Sequence, residues 1–429
     1  MKTPLHNAVE AYIAAGRARF HMPGHKGTEG LEWDITEVEG CDSLYEASGP
    51  ILELEQEAAR IYGAGAALLS AGGATLCIQT MLALCGAGQK IIAGRGIHKS
   101  ALNAMILLDQ QPIWVYPESW GWFLGPYTPE KIEAALQQEP EAAGVYITSP
   151  DYFGVMSDIE AIAQVCRRYG KPLLVDNAHG AHLKFLPGKT HPMDCGAAMC
   201  ADSLHKTLPA MTGAAVLYLA DGSRQAEARR FMSLFGSTSP SYPILLSCEK
   251  ALAWAEEKGR QGFAETAERF RQLSQTAKAF PQPAKMDPAK LTVAYGPYCS
   301  SEAFGKWLRG HGVEPEYIGG GTCVFMGNPF NPESDYTKLE KAIQEYPLGL
   351  QNIEPVPLPP PLQTVVPLRQ AAFSPEKEIP LTESLGHIAA RESSPCPPGI
   401  PVVMCGERID EAMAEYMARR GMKTVWVMA

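Results

Sequence analysis

Beyond residue 50 the chain alternates between short apolar runs and stretches whose apolar residues recur at helical spacing. PILELEQEAARIYGA, residues 50–64, opens on proline and places Ile51, Leu52, Leu54, Ala58, Ala59, Ile61 and Tyr62 at that spacing, which predicts a strong helix. AALLSAGGAT reads as a strand and a Gly-rich turn, TLCIQTMLALC as a helix, KIIAG as a strand and KSALNAMILLD as a helix. PIWVY, AGVYITSP, KPLLVDNAHG and GAAVLYLA continue as strands, with PEKIEAALQQ and DIEAIAQVCRRYG as helices between them. Short apolar strands alternating with helices predict an α/β fold, a mainly parallel sheet with helices on both faces. Ligands of such sheets bind beyond the carboxyl ends of the strands.

The two ends of the chain follow other patterns. TPLHNAVEAYIAAG predicts a short amphipathic helix, and FHMPGHKG is broken by Pro and Gly. Residues 1–50 are therefore expected to form an N-terminal arm ahead of a large domain over 51–280. AFPQPAKMDPAK reads as a linker. LTVAYGPY, SEAFGKWLRGHG and GGTCVFMGN then predict a smaller α/β domain over 281–429, with a Pro-rich connector near 355–368. The chain closes on the helix RIDEAMAEYMARRG and the strand KTVWVMA.

Composition narrows the function. With 46% apolar and 20% charged residues in 429, the chain has enough apolar surface for a large core. Its 47 acidic and 37 basic side chains give a formal net charge of -10. That balance argues against nucleic-acid and anionic-membrane partners. Eleven scattered cysteines without a CxxC argue against a disulfide scaffold and for a reducing cytosol. No zinc spacing occurs, so no metal is expected. MKTPLHNAVEAYIAAG lacks the apolar core of a signal peptide, so a cytoplasmic location is expected. The charge-free stretch between Arg60 and Lys90 is long enough to cross a bilayer. GAG, AGGAT and CGAG interrupt it, which favours a strand, a turn and a buried helix.

Four features carry candidate chemistry. AGGAT, Ala71 to Thr75, is a Gly-rich turn leading into a helix, where backbone N–H groups and the helix dipole can hold a phosphate. In VDNAHGAH, Asp176 ends an apolar strand and is followed by His179 and His182. A strand-end carboxylate can pair with a cationic ring nitrogen; the two histidines lack a third metal ligand nearby. In ADSLHKT, Lys206 follows Ser203 and His205 and precedes an apolar strand. A lysine among uncharged neighbours is a carbonyl nucleophile. In GRGIHKS, His98 follows a strand and can stack on a flat ligand. Each feature alone has an ordinary reading as a turn, a cap, a surface lysine or a loop histidine. Together and in this order they suit pyridoxal 5'-phosphate (PLP), whose phosphate, ring nitrogen and aldehyde need these three kinds of partner.

FHMPGHKG, DITEVEGCDSLYEASGPILELEQEAARIYGAG, GRGIHKSALNA, DNAHGAHLKF, DSLHKTLPAMTGAA and STSPSYPILLS resemble the Orn/Lys/Arg decarboxylases, PLP enzymes of fold type I. The resemblance extends through VPLRQAAFSPEKEIPLTESLGHIAARESSPCPPGIPVVMCGERI. It implies the fold-type-I transferase-like sheet and a cytoplasmic decarboxylase of lysine, arginine or ornithine. It implies Lys206 as the Schiff-base lysine, Asp176 as the partner of the pyridine nitrogen and His98 stacked over the ring. Gly73, Ala74 and Thr75 would line the phosphate cup, Ser203 and His205 would add contacts, and His179 would lie against the cofactor. Thr238 would reach the phosphate of the neighbouring subunit in a homodimer or dimer of dimers. Glu407, at the family's C-terminal Gly-Glu position, would meet the distal cation of the substrate, or else cap the following helix. The cup is AGGAT in place of a Ser/Thr-rich version, Gly96 and Ile97 precede His98, and Cys396 and Cys405 replace a family tyrosine and proline. On the residues themselves, a PLP aminotransferase or lyase, and a PLP-binding protein without turnover, stay open.

Overall fold

The computed structural model describes residues 1–347, 359–394 and 401–429. Cys396 and the first residues of the expected connector, 355–358, lie outside the described residues. Contacts group the chain into two compact units. The first comprises Met1–Gly86, Ala143–Ser149 and Ile159–Ala264; the second comprises Ala87–Ala142, Pro150–Asp158 and Glu265–Ala429.

The first unit contains five neighbouring strands in the order Ala66–Ser70, Ala215–Leu219, Met199–Ser203, Leu173–Asp176 and Gly144–Thr148. The last three run parallel, whereas Ala215–Leu219 runs antiparallel to both its neighbours. The strands Ala66–Ser70, Leu173–Asp176, Met199–Ser203 and Ala215–Leu219 are buried along their whole length, as their unbroken apolar runs require. The helix Pro50–Tyr62 starts on proline and turns Ile51, Leu54, Ala58, Ala59 and Tyr62 inward. Glu55 lies on the same buried face, where it pairs with Arg229 and accepts the Leu69 N–H at 3.1 Å. The charge-free stretch folds as the strand Ala66–Ser70 and the helix Gly73–Ala83. Among the described residues no helix is long and apolar enough to cross a membrane.

The second unit contains the parallel strands Lys90–Gly94 and Gln111–Val115. A three-stranded antiparallel sheet orders Lys290–Ala294, Thr322–Met326 and Tyr317–Gly319. Phe270, Phe280, Leu291, Phe304 and Phe325 form the core packed on it. The strands Glu376–Pro380 and Thr424–Met428 pair antiparallel beside a core of Val403, Ile409, Met413, Met417 and Val427. The C-terminal helix and strand expected from the sequence are Glu411–Arg419 and Thr424–Met428.

Candidate active site

The site in the first unit is assembled where three strands end at one edge of the sheet, the start of Ala215–Leu219 lying between Ser70 and Ser203. Ser70 and Ser203 both pair with Ala215, and Asp176 pairs with Ala201. The Gly-rich turn, the strand-end carboxylate and the lysine segment are thereby brought to the same edge of the sheet.

The turn is built around two glycines. Gly73 has φ +68° and Gly213 has φ +98°, which side chains rarely adopt. A Cβ on Gly213 would come within 3.3 Å of the Ala71 carbonyl, so the strap at 213 passes close over the turn. The Gly73 N–H donates to the Gly213 carbonyl at 2.8 Å. The helix Gly73–Ala83 has Gly72 at its N-cap and no side-chain cap. The first-turn N–H groups of Ala74 and Thr75 have no partner within the helix. A Cβ on Gly73 would meet nothing within 4 Å, so there is open space at this helix start for an anion.

Asp176 is 1% exposed. One carboxylate oxygen accepts the Ala178 N–H at 3.1 Å and the other accepts the Tyr146 hydroxyl at 3.2 Å. His179, on the turn after it, is buried and stands 3.0 Å from the Lys206 amine through its Nε2. Lys206 sits in the short helix Leu204–Thr207, directly after the strand Met199–Ser203, and is exposed. Ser203 is buried at the start of that helix, and His205 donates its Nδ1–H to the Ala214 carbonyl at 3.1 Å. Ala214 adjoins Gly213, so hydrogen bonds run from the lysine segment to the Gly-rich turn. Thr238 is exposed in the bend between the helices Gln225–Phe235 and Tyr242–Trp254.

A nucleophilic amine, a buried carboxylate with neutral hydrogen-bond donors, and an uncapped helix start fit the aldehyde, ring nitrogen and phosphate of PLP. The fit is a matter of donor chemistry at three positions of one unit.

Two expected site residues belong to the second unit. His98 is the N-cap of the helix Lys99–Leu107; its Nδ1 accepts the Ser100 N–H at 3.2 Å. Glu407 is fully buried and ion-paired with Arg95 at 3.0 Å, Arg95 itself being 3% exposed. The same carboxylate accepts the Met404 N–H at 2.7 Å. Arg95 also donates to the Val402 carbonyl at 2.9 Å and lies 5.2 Å from the Trp114 ring centre. Burial pushes the Glu407 carboxyl above its ordinary range, opposed by the Arg95 charge and the Met404 N–H. The helix Glu411–Arg419 is capped by Asp410, whose carboxylate accepts the Met413 N–H at 2.8 Å, and not by Glu407. Within one chain the Glu407 charge is already neutralised, and a substrate cation would reach it only if Arg95 withdrew.

Tyr146 and Arg95 escape sequence reasoning. Tyr146 reads as one more apolar strand residue, and no local signal links Arg95 to a carboxylate 312 positions away. The ten described cysteines are free. His182 is buried against Phe263, with ring centres 5.2 Å apart.

The model for the Orn/Lys/Arg decarboxylase major domain matches residues 27–314, and the model for the family's C-terminal domain matches residues 368–422. The chain belongs to the Orn/Lys/Arg decarboxylase family. An arginine decarboxylase of Bacillus subtilis is 29% identical over 97% of this chain and 93% of its own length. The lysine decarboxylase LdcA of Pseudomonas aeruginosa is 25% identical over 61% of this chain and 41% of its own length. The solved lysine decarboxylase of Francisella novicida has a TM-score of 0.84 at 17% identity, covering 100% of this chain and 81% of that one. The constitutive lysine decarboxylase of Escherichia coli has a TM-score of 0.82 at 18% identity, covering 100% and 82%. These likenesses bear out the fold class expected from the alternating pattern. This decarboxylase family member is accordingly an amino-acid decarboxylase.

Proposed function

We propose that the protein binds PLP through Lys206, Asp176 and the turn at Gly73–Thr75, and decarboxylates a basic amino acid to CO2 and the corresponding amine. The observation that carries this reading is the Lys206 amine 3.0 Å from His179, on the turn that leaves the buried Asp176. Bound PLP supplies a carbonyl for amines and an electron-poor ring that takes up the electron pair left as CO2 departs.

The residues divide that work. The Lys206 amine would hold the cofactor through its aldehyde and would supply the nucleophile that frees the product amine. The Asp176 carboxylate, kept in place by Tyr146 and the Ala178 N–H, holds a proton on the ring nitrogen. The Ala74 and Thr75 N–H groups hold the phosphate, with Ser203 and His205 beside them. His179 orients the lysine amine. His98 is assigned to the ring face by its place in the family motif. The cup has few hydroxyls, so backbone donors carry most of the phosphate binding.

The named relatives include both arginine and lysine decarboxylases, which supports a basic substrate without choosing among arginine, lysine and ornithine. A homodimer or dimer of dimers in the cytoplasm completes the reading, the partner subunit's Thr238 reaching the phosphate. Purified protein supplied with PLP and a panel of amino acids tests it by CO2 release and amine detection. Release of CO2 with agmatine, cadaverine or putrescine is expected. Amino-group transfer without CO2, or cofactor binding without turnover of any amino acid, would overturn it.

A further inference from the structure

Behind the site lies a buried polar cluster that the proposed reaction does not use. Asp202, His191 and Cys200 are each 0% exposed, and ligand-type atoms of the three lie within 4.8 Å of one another. One Asp202 oxygen accepts the Asn177 side-chain N–H at 2.6 Å and the Cys200 thiol at 3.4 Å. The other faces His191 Nε2 at 3.0 Å. The Met193 N–H donates to His191 Nδ1 at 3.3 Å. That contact makes Nδ1 an acceptor and places the ring proton on Nε2, pointing at Asp202. Burial first, and the Asp202 charge next, push the Cys200 thiol well above its ordinary range, so it remains a donor. Asp202 is therefore a fully buried carboxylate held by three neutral donors. Such a charge is costly to bury unless its hydrogen bonds are complete.

The cluster ties together the two segments that carry the chemistry. Asn177 follows Asp176 directly, and its own N–H donates to the Ala201 carbonyl at 3.0 Å. Asp202 stands four residues before Lys206, on the strand parallel to the Asp176 strand. The two strands are thus joined by one backbone hydrogen bond and one charge-assisted bond, from the residue just past Asp176 to the last residues of the strand that ends at Ser203. The His191 ring, packed 4.9 Å from Tyr62 and 6.0 Å from Tyr218, closes the cluster from below.

We infer that Asp202, held by His191, is a positioning residue that sets the spacing between Asp176 and Lys206 through Asn177. The inference rests on the proposed PLP chemistry, and its role is to hold two groups in register, where small displacements cost large factors in rate. With no exposed surface, Asp202 acts through these groups and not on a ligand.

The test uses the full chain as holoenzyme and apoprotein. Borohydride labelling of Lys206 and CO2 release are first established for the unaltered protein. Their failure there defeats the proposed function itself, whereas the positioning role is judged only on variants of a working parent. Asp202→Asn keeps the shape and removes the charge. It is expected to lower kcat by about 10- to 100-fold with KM changed by less than about twofold. The pH midpoint of the lysine-bound cofactor absorbance should also shift. In the apoprotein, amide hydrogen exchange should rise at residues 176–179 and 203–207 beyond the rest of the unit. His191→Gln, which keeps an N–H donor, should show the same pattern at smaller amplitude and carries the test if Asp202→Asn does not fold. Unchanged kcat in a folded variant would overturn the inference, as would faster exchange spread evenly over the unit. Stoichiometric zinc in the purified protein, lost in Cys200→Ala, would overturn it too, since the cluster would then be a metal site.

Discussion

Replacing Glu407 by glutamine separates two roles that a buried carboxylate can play. Glu407 is fully buried against an Arg95 that is 3% exposed, at 3.0 Å. The substitution keeps an acceptor for the Met404 N–H and removes the charge. With the carboxylate gone, the Arg95 guanidinium is left buried with only carbonyl oxygens and the Trp114 face around it. Breaking one side of a buried ion pair costs about 3–5 kcal/mol. Replacing both partners, with Arg95→Met added to Glu407→Gln, removes the stranded charge and should recover most of that loss. Urea unfolding of the two single variants and the double variant measures the cycle.

The pH dependence has a defined sign. Burial raises the Glu407 carboxyl above its unfolded value. Its linked stability is therefore fullest below the ordinary carboxylate range and is lost as pH rises through the raised value. Glu407→Gln should remove that part of the slope. A single variant as stable as the parent would refute the structural role. So would a kcat/KM loss of about 1–3 kcal/mol confined to charged substrates. That outcome would return Glu407 to the distal cation of the substrate.

The other predictions concern the site and one half-buried carboxyl. Lys206→Ala should abolish covalent cofactor attachment, and borohydride followed by peptide mapping should label Lys206 in the parent; a label elsewhere would move the nucleophile. Asp176→Asn should leave the fold intact and lower kcat by a few powers of ten, on the order of several kcal/mol in the transition state; near-parental turnover would remove Asp176 from the ring nitrogen. Tyr146→Phe deletes a 3.2 Å hydrogen bond to Asp176 without changing shape and should cost about 0.5–3 kcal/mol, read as a lower kcat at nearly constant KM. Asp151 is pushed up to about 7, chiefly by burial. Its linked stability is full below its unfolded value of about 4 and falls as pH rises through about 7, by at most about 1.4 kcal/mol per pH unit. Stability curves of Asp151→Asn between pH 4 and 8 should be flatter than the parent's.

Much of the fold is legible in the apolar pattern. The helix Pro50–Tyr62 and the strands Ala66–Ser70, Lys90–Gly94 and Leu173–Asp176 fall where spacing puts them, because each buries its apolar positions. Strand direction is not so encoded. The run Ala215–Leu219 looks like its parallel neighbours because both faces are buried, yet it runs against them. The long helical stretch from Tyr242 to Thr276 is also hard to see. Its second half, Arg260–Thr276, is dominated by polar residues, so the apolar signal fades along it.

The site is legible where chemistry is scarce and local: a glycine turn at a helix start, an aspartate ending an apolar strand, a lysine before another. Long-range pairing is not legible, and it decides what each buried carboxylate can do. Glu407 has a guanidinium at 3.0 Å, so its charge is already met within the fold. Asp202 has three neutral donors on its two oxygens and no exposed surface, so no incoming ligand reaches it and, as inferred above, it serves geometry. Asp176 accepts one neutral bond on each oxygen, from Ala178 and Tyr146, at a strand end beside the lysine-bearing segment. A carboxylate oxygen has room for a further donor after one bond. Glu407 meets a cation and Asp202 has no exposed surface, whereas Asp176 meets no cation among the described residues and stands at the strand end itself with acceptor capacity remaining. Under the proposed PLP binding, that combination would favour a protonated ring nitrogen over a neutral one, because only a charged donor returns the cost of burying the carboxylate.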